Sequence, residues 1–350
     1  MENKNAPQLG PEYVNPFLNM LLGAALLCGF VAPAVGQELV FSPAADARRI
    51  LSTKDAFVER LSPFDRSSRM KTDRAIAEGE FLEFVASAAL EWEPREKDAI
   101  DSAFREIRPA VARLLRPIPG RINVIKTSGR EEGNVPYTRG NAIIFPTRAL
   151  ASPRREIQKV LAHEVFHVTS RAHPSIVKPL YGSIGFQYCG EIEFPANLAP
   201  RKITNPDAPN NEYCIRLRVG GERVWAVPIL FSNTKYDISR GGEFFQYLQM
   251  AFVLVERSPE AGKPPRTLLN SQGIRLAGLH QVSGFFEQVG RNTDEILHPE
   301  EVIAANFALL ALGERNVRSP EVQARIEKAL AEVSAAESRA AEDAPRTAKP

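Results

Sequence analysis

Residues 163 to 167 read His-Glu-Val-Phe-His, and this stretch constrains the chain more than any other. A helix turns once in about 3.6 residues, so side chains four apart share a face. Both imidazoles can then reach one metal ion, with Glu164 beside the first of them. The flanking sequence predicts a buried helix. Ser152-Pro153 reads as an N-cap followed by proline at the first helical position. Ile157, Val160, Leu161, Val165, Phe166 and Val168 surround the motif on nearly all sides, and a helix apolar all round is a buried one. Two histidines and a glutamate in such a place need a partner, because unpaired buried charge is expensive. A metal ion supplies it. The competing reading is a pair of core histidines satisfied by protein groups. With five histidines in 350 residues, a chance occurrence of this spacing is rare.

The spacing resembles the H-E-x-x-H motif of zinc hydrolases. That resemblance implies one Zn²⁺ held by His163 and His167, with Glu164 as general base on a zinc-bound water. Such a zinc takes three protein ligands and keeps its fourth position open. Two segments compete for the third ligand. Residues 163–173 read H-E-x-x-H-x-x-S-x-x-H, which is similar to the metzincin spacing and would make His173 the ligand. Ser170 stands there in place of the metzincin glycine, and Met250 is the only methionine after Met70 to supply a methionine turn. The other segment is His298-Pro299-Glu300-Glu301-Val302-Ile303-Ala304-Ala305-Asn306-Phe307. It resembles the second zinc helix of the gluzincins, which implies Glu301 as the ligand and is the preferred assignment. It departs at Ala305, where the gluzincins carry an aspartate that orients a zinc histidine, and Asn306 is a candidate substitute. Glu300 and His298 remain further candidates, and one of the two adjacent glutamates is expected to face solvent and favour the helix N-terminus.

Composition sets the outer limits. The chain has 44 basic and 42 acidic residues, a net charge of +2, with no basic excess to suggest nucleic acid. No charged residue lies between Tyr13 and Gln37, Met20 to Ala32 is almost wholly apolar, and Ala34-Val35-Gly36 offers small residues. Residues 1–36 therefore read as a signal peptide for a periplasmic or secreted protein. An uncleaved membrane anchor is the alternative. Cys28 would leave with the leader, and the remaining Cys189 and Cys214 suggest a disulfide.

The rest reads as α+β and zincin-like, mostly helical, with a small mixed sheet beside the motif helix. Residues 37–118 are expected to form an N-terminal helical subdomain, 119–315 a zincin-like catalytic domain, and 316–350 an Ala/Glu-rich helical and disordered tail. Helices are predicted over Lys71–Glu91, Lys97–Leu115, Gly242–Glu256, Gln281–Val289 and Pro299–Leu312, with a last one from Pro320 to about Glu342. Strands are predicted over Arg121–Thr127 and Asn141–Phe145, with a hairpin about Gly220-Gly221. The strand just before the motif helix is expected to hold a peptide by strand addition. Thr204-Asn205-Pro206-Asp207 reads as a turn.

The resemblance to gluzincins, and to uncharacterised exported bacterial zinc-peptidase-like proteins, implies a zinc metallopeptidase acting on peptides or proteins. His298, Tyr181, His280 and Tyr236 are candidate oxyanion donors. The alternatives are a non-catalytic cell-envelope protein retaining a structural zinc helix, and a zinc amidase acting on a cell-wall amide.

Overall fold

The computed structural model describes residues 38–343, apart from 117, 259, 261, 262 and 272. The leader read at 1–36 and the tail end at 344–350 lie outside the described residues. The described residues belong to one compact unit.

Glu38–Phe41 (β1) is followed by Ala44–Leu51 (α1), Ala56–Glu59 (α2), Pro63–Arg69 (α3) and Glu78–Ala86 (α4). The long helix expected over 71–91 is therefore only nine residues. Lys71, at φ 53°, breaks the chain away from α3, and Ala89–Leu90 (β2) pairs into a sheet instead. Pro94–Leu114 (α5) buries Ile100, Phe104, Ile107, Val111 and Leu114, the stripe that the three-and-four spacing predicts. Arg121–Thr127 (β3), Tyr137–Arg139 (β4) and Ala142–Pro146 (β5) complete a five-stranded mixed sheet in the order β1-β3-β5-β4, with β2 on β3. β1, β3 and β5 are parallel, and β4 runs antiparallel to β5 at the edge. Alternation sends Ile122, Val124, Ile143 and Phe145 to the face carrying the main core, and Ile125, Ala142 and Ile144 to the face covered by α1, α2 and α4. The boundary read at residue 118 thus runs through this sheet, since β1 and β2 pair directly with β3.

Thr147–Leu150 (α6) leads into the motif helix, Arg154–Ala172 (α7). It begins one residue later than expected, with Pro153 as the N-cap, whose carbonyl accepts from the N–H groups of Glu156 and Ile157. Pro174 ends it, because a residue before proline is pushed out of the helical region, and His173 sits at φ −130°, ψ 73°. Val177–Ser183 (α8) follows, then Phe186–Tyr188 (β6), Tyr213–Val219 (β7) and Glu222–Ser232 (β8). Gly220 and Gly221, both at positive φ, close the expected hairpin between β7 and β8.

Leu248–Glu256 (β9) corrects the helix read over 242–256. A short apolar run does not separate strand from buried helix by periodicity. Here β8 offers an antiparallel ladder from Trp225↔Val255 to Ser232↔Leu248, and the run Ala251-Phe252-Val253-Leu254-Val255 fits it. With Arg266–Thr267, Leu276–Gly278 and Val282–Ser283, strands β6 to β9 make a seven-stranded antiparallel sheet. The α+β class holds, but the sheet content exceeds the single small mixed sheet expected.

Phe286–Val289 (α9) is a single turn, stopped by Gly290 at φ 78°. Pro299–Ala311 (α10) and Pro320–Asp343 (α11) fall close to their predicted bounds. All thirteen residues of α10 are buried, and it packs on α7, with the rings of Phe166 and Phe307 5.6 Å apart. No helix among the described residues is long and apolar enough to cross a membrane. Cys189 and Cys214 are buried free thiols, not the expected disulfide. They lie close enough for the Cys189 thiol to hydrogen-bond Cys214, which holds the Cys214 thiol below its ordinary pKa.

Candidate metal centre

The centre forms where α7 crosses the first turn of α10. His163 and His167 share one face of α7, as their spacing requires. Pro299 starts α10, and His298 caps it by accepting the Glu300 N–H at Nδ1, 3.1 Å away. This places Glu300 and Glu301 against the two imidazoles. His163 Nε2 lies 3.1 Å from Glu301 Oε2, and His167 Nε2 lies 3.4 Å from the same oxygen. Ligands about 2.0–2.1 Å from a tetrahedral zinc stand about 3.3 Å apart. The two separations from Glu301 Oε2 therefore match edges of a zinc tetrahedron, and all three ligand atoms lie within 4.8 Å of one another. His173, the competing candidate, caps the end of α7 and belongs to none of the described His/acid clusters.

Glu300 does not face solvent. Both glutamates are buried, at 3% and 8% exposure. Glu300 Oε1 accepts from His167 Nδ1 at 2.9 Å and from the Ser170 hydroxyl, while its Oε2 accepts from the Tyr181 hydroxyl. A carboxylate on one imidazole nitrogen fixes the tautomer and leaves the other nitrogen for metal. Glu300 thus holds His167 as the position of Ala305 cannot. Asn306 takes no part, because its amide bonds Val302 and Asn292. Ser170, unexplained by the metzincin spacing, is a hydrogen-bond donor to Glu300. On the other ring, His163 Nδ1 has Glu295 Oε2 3.7 Å away.

The long connection from β6 to β7 closes the centre. Asn205 Nδ2 donates to Glu301 Oε1 at 2.6 Å, which leaves Oε2 towards the histidines. Asp207 N–H donates to Asn205 Oδ1 at 2.9 Å, an Asx turn as the Thr204–Asp207 sequence predicts. Asp207 Oδ1 accepts the Thr138 N–H on the edge strand β4 at 2.8 Å, and its carboxylate lies within 4.8 Å of ligand atoms on Glu164 and His167. No spacing rule ties residues 205 and 207 to the motif, so sequence reading misses both.

The histidines and carboxylates of the cluster shift one another. Burial would lower both histidines, but Glu301 bonded to His163 raises that ring above its ordinary value, and Glu301 with Asp207 raises His167 further. Burial would raise Glu301, yet His167 and His163 hold it well below the carboxylate range. Glu164, 4% exposed, has a buried Oε2 with no hydrogen-bond partner. Burial, and then Asp207, push its carboxyl up to about 8.

The centre opens on a cleft of about 570 Å³ lined by His163, Glu164, Asn205, Asp207 and Glu301. The lining is mixed: Val135, Ile203, Leu230, Phe244, Phe245 and Leu248 are apolar, while Arg69, Glu132, Glu156 and Lys159 are charged. The expected oxyanion donors are elsewhere. None of His298, Tyr181, His280 and Tyr236 lines the cleft; Tyr181 and His298 serve Glu300, and the Tyr236 hydroxyl donates to the Gly242 carbonyl. The strand beside the cleft is also not the one expected. β5 is interior to the sheet, and the edge strand β4 contributes Tyr137 to the lining.

No family model, curated protein or solved structure matches the chain.

Proposed function

We propose that this chain is an exported, zincin-like zinc metallopeptidase that hydrolyses peptide bonds, with His163, His167 and Glu301 as zinc ligands and Glu164 as general base. The observation that carries this reading is the coincidence of two features. Glu301 Oε2 stands 3.1 and 3.4 Å from the two imidazole nitrogens, separations that suit ligands of one zinc ion, and a buried, unpartnered carboxylate oxygen beside them belongs to Glu164.

A zinc ion held by His163, His167 and Glu301 would supply Lewis-acid activation of water and of a scissile carbonyl. The chain supplies the rest. Glu300 fixes His167, and Asn205 fixes Glu301, so neither ligand needs to reorganise. Glu164 Oε2 accepts the proton of the attacking water and returns it to the departing amine. A structural zinc needs the histidines but no buried, unpartnered carboxylate beside them, and Glu164 therefore favours catalysis over a purely structural site. A peptide suits the cleft because the apolar lining residues Val135, Ile203, Leu230, Phe244, Phe245 and Leu248 can take a substrate side chain. Export rests on the apolar stretch Met20–Ala32.

Zinc content per chain, followed by peptide-library hydrolysis, tests the proposal. Wild type should carry one zinc, His173→Ala should keep it, and Glu301→Ala should lose it. Glu164→Gln should keep zinc and fold while hydrolysis drops by about 10²-fold or more. A folded wild type that takes up no zinc, or a Glu164→Gln variant with full activity, would overturn it.

A further inference from the structure

Alternation along β7 and β8 sends Ile215, Leu217 and Ala226 into the main core, and Arg216, Arg218, Arg223 and Trp225 to the opposite face of the sheet. Further along, that face is covered: Cys214, Val227 and Val253 pack with Ile192 and Leu198 from the β6–β7 connection. At the hairpin end Arg216, Arg218 and Arg223 are exposed, as is Arg257 just beyond β9. Arg218 stands directly opposite Arg223 in the ladder, and like charges so paired are destabilising. The only acids on β7, β8 and β9 are Glu222 and Glu256, and these pair with Arg275 and Arg266. Among the described residues, none of the four exposed arginines has an ion-pair partner. Trp225, opposite Arg216, has the guanidiniums of Arg216 and Arg257 over its ring, 5.6 and 5.0 Å from the centroid. Arg257 Nη1 also donates to Gln187 Oε1 at 2.6 Å. Two of the four guanidiniums are thus held in place before any ligand arrives.

We propose that this hairpin end of the sheet docks on a bilayer of acidic phospholipids, with the guanidiniums of Arg216, Arg218, Arg223 and Arg257 on headgroup phosphates. A guanidinium offers phosphate a planar fork of donors, and a phosphate between Arg218 and Arg223 replaces their repulsion with two attractions. The charges are spread over three neighbouring strands about 4.8 Å apart, a plane rather than a groove, which matches a surface better than an extended chain. β7 and β8 are interior strands, so an acidic peptide has no open edge there to join through its main chain. Single-stranded nucleic acid calls for aromatic faces that stack on bases, and the Trp225 ring is engaged by guanidiniums. A partly exposed indole among arginines is instead the composition of a membrane interface. The cleft lies apart from this patch: Leu230 in its lining is on β8, about 17 Å along the strand from Trp225.

The test is co-sedimentation of the full-length chain with vesicles of phosphatidylcholine, alone or mixed with phosphatidylglycerol. The apolar stretch Met20–Ala32 acts on both alike, so the quantity read is the gain in binding from the acidic lipid. Wild type should show that gain, and added salt should reverse it. An arginine at an acidic surface is worth about fivefold in binding, so Arg218→Gln with Arg223→Gln should cut the gain by about tenfold or more. Arg216→Gln with Arg257→Gln, which leaves the ladder pair intact, should do the same. Arg95→Gln with Arg105→Gln removes as much charge from α5 and should keep the gain. Equal sedimentation with both vesicles, or a gain that survives both patch variants, overturns the proposal. An equal loss in the patch and α5 variants reduces the effect to net charge and overturns it as well. Inorganic phosphate that displaces the chain at constant ionic strength, or an oligonucleotide bound when vesicles are not, assigns the arginines to a different anion and overturns it too.

Discussion

Glu300 shows how much a single side chain can carry at the residue scale. Adjacent to a ligand, it is easily read as a surface acid at a helix start. Its carboxylate instead collects donors from three elements: His167 and Ser170 on α7, and Tyr181 on α8. Partners of this kind hold the ligating ring in one tautomer and orientation, and their loss typically weakens metal binding 10–100-fold. Glu300→Gln should therefore reduce zinc affinity by about 10–100-fold while leaving the circular dichroism spectrum unchanged, as read by competition with a chromophoric chelator. Unchanged affinity would remove Glu300 from its positioning role. The same logic explains Ser170. A glycine there would delete a donor to Glu300, and the chain does not turn at that position because α7 runs on to Ala172.

At the scale of elements, the pairing of β6 with β7 brings Cys189 and Cys214 together. Gln187 faces Cys214 in the register, and Cys189 follows two residues later with its thiol beside that of Cys214. The thiols are free in this structure, and their proximity lets an oxidant join them. Treatment with glutathione disulfide should join them, the two thiols losing two electrons and two protons as the reagent is reduced. Closing a loop of this length adds about 3 kcal/mol to the stability of the fold. The oxidised chain should therefore unfold at higher urea than the reduced one, and Cys189→Ser should abolish the difference. Two thiols still titratable after oxidation and denaturation would show that the pair cannot close.

The whole molecule has a second buried ionic cluster, whose Arg69 and Glu132 line the same cleft. Arg69 joins Asp65 and Glu132 at 2.7 Å each and donates to the Thr204 carbonyl, tying α3 to the β3–β4 connection and to the loop that carries Asn205 and Asp207. Burial pushes Glu132 up to about 7, although Arg69 holds it down. The unfolded carboxyl titrates near 4.5. Between those values the folded chain keeps a proton that the unfolded chain has lost, so stability falls as pH rises through that window. The fall amounts to at most about 3 kcal/mol. Glu132→Gln, which keeps an acceptor for Arg69, should flatten the dependence of the urea midpoint between pH 5 and 7. An unchanged slope would assign it to other carboxyls.

What the sequence determined by itself is the chemistry that depends on local spacing. Four residues along a helix put His163 and His167 on one face whatever surrounds them, and Pro299 followed by an apolar run made α10 a buried helix starting beside two acids. The hairpin at Gly220-Gly221 and the stripe of α5 were legible for the same reason, since each is decided within one element. The rest was settled by tertiary structure. Residues 248–256 became a strand because β8 stood ready to pair with them, which no window on those residues reveals. Glu300 rather than Asn306 holds His167 because the rotation of α10 against α7 decides which side chains meet. Asn205 and Asp207 reach the centre through a loop some forty residues beyond the motif. Sequence separation says nothing about such meetings: side-chain contacts across elements depend on how the elements pack, and that is fixed by burial summed over the whole core.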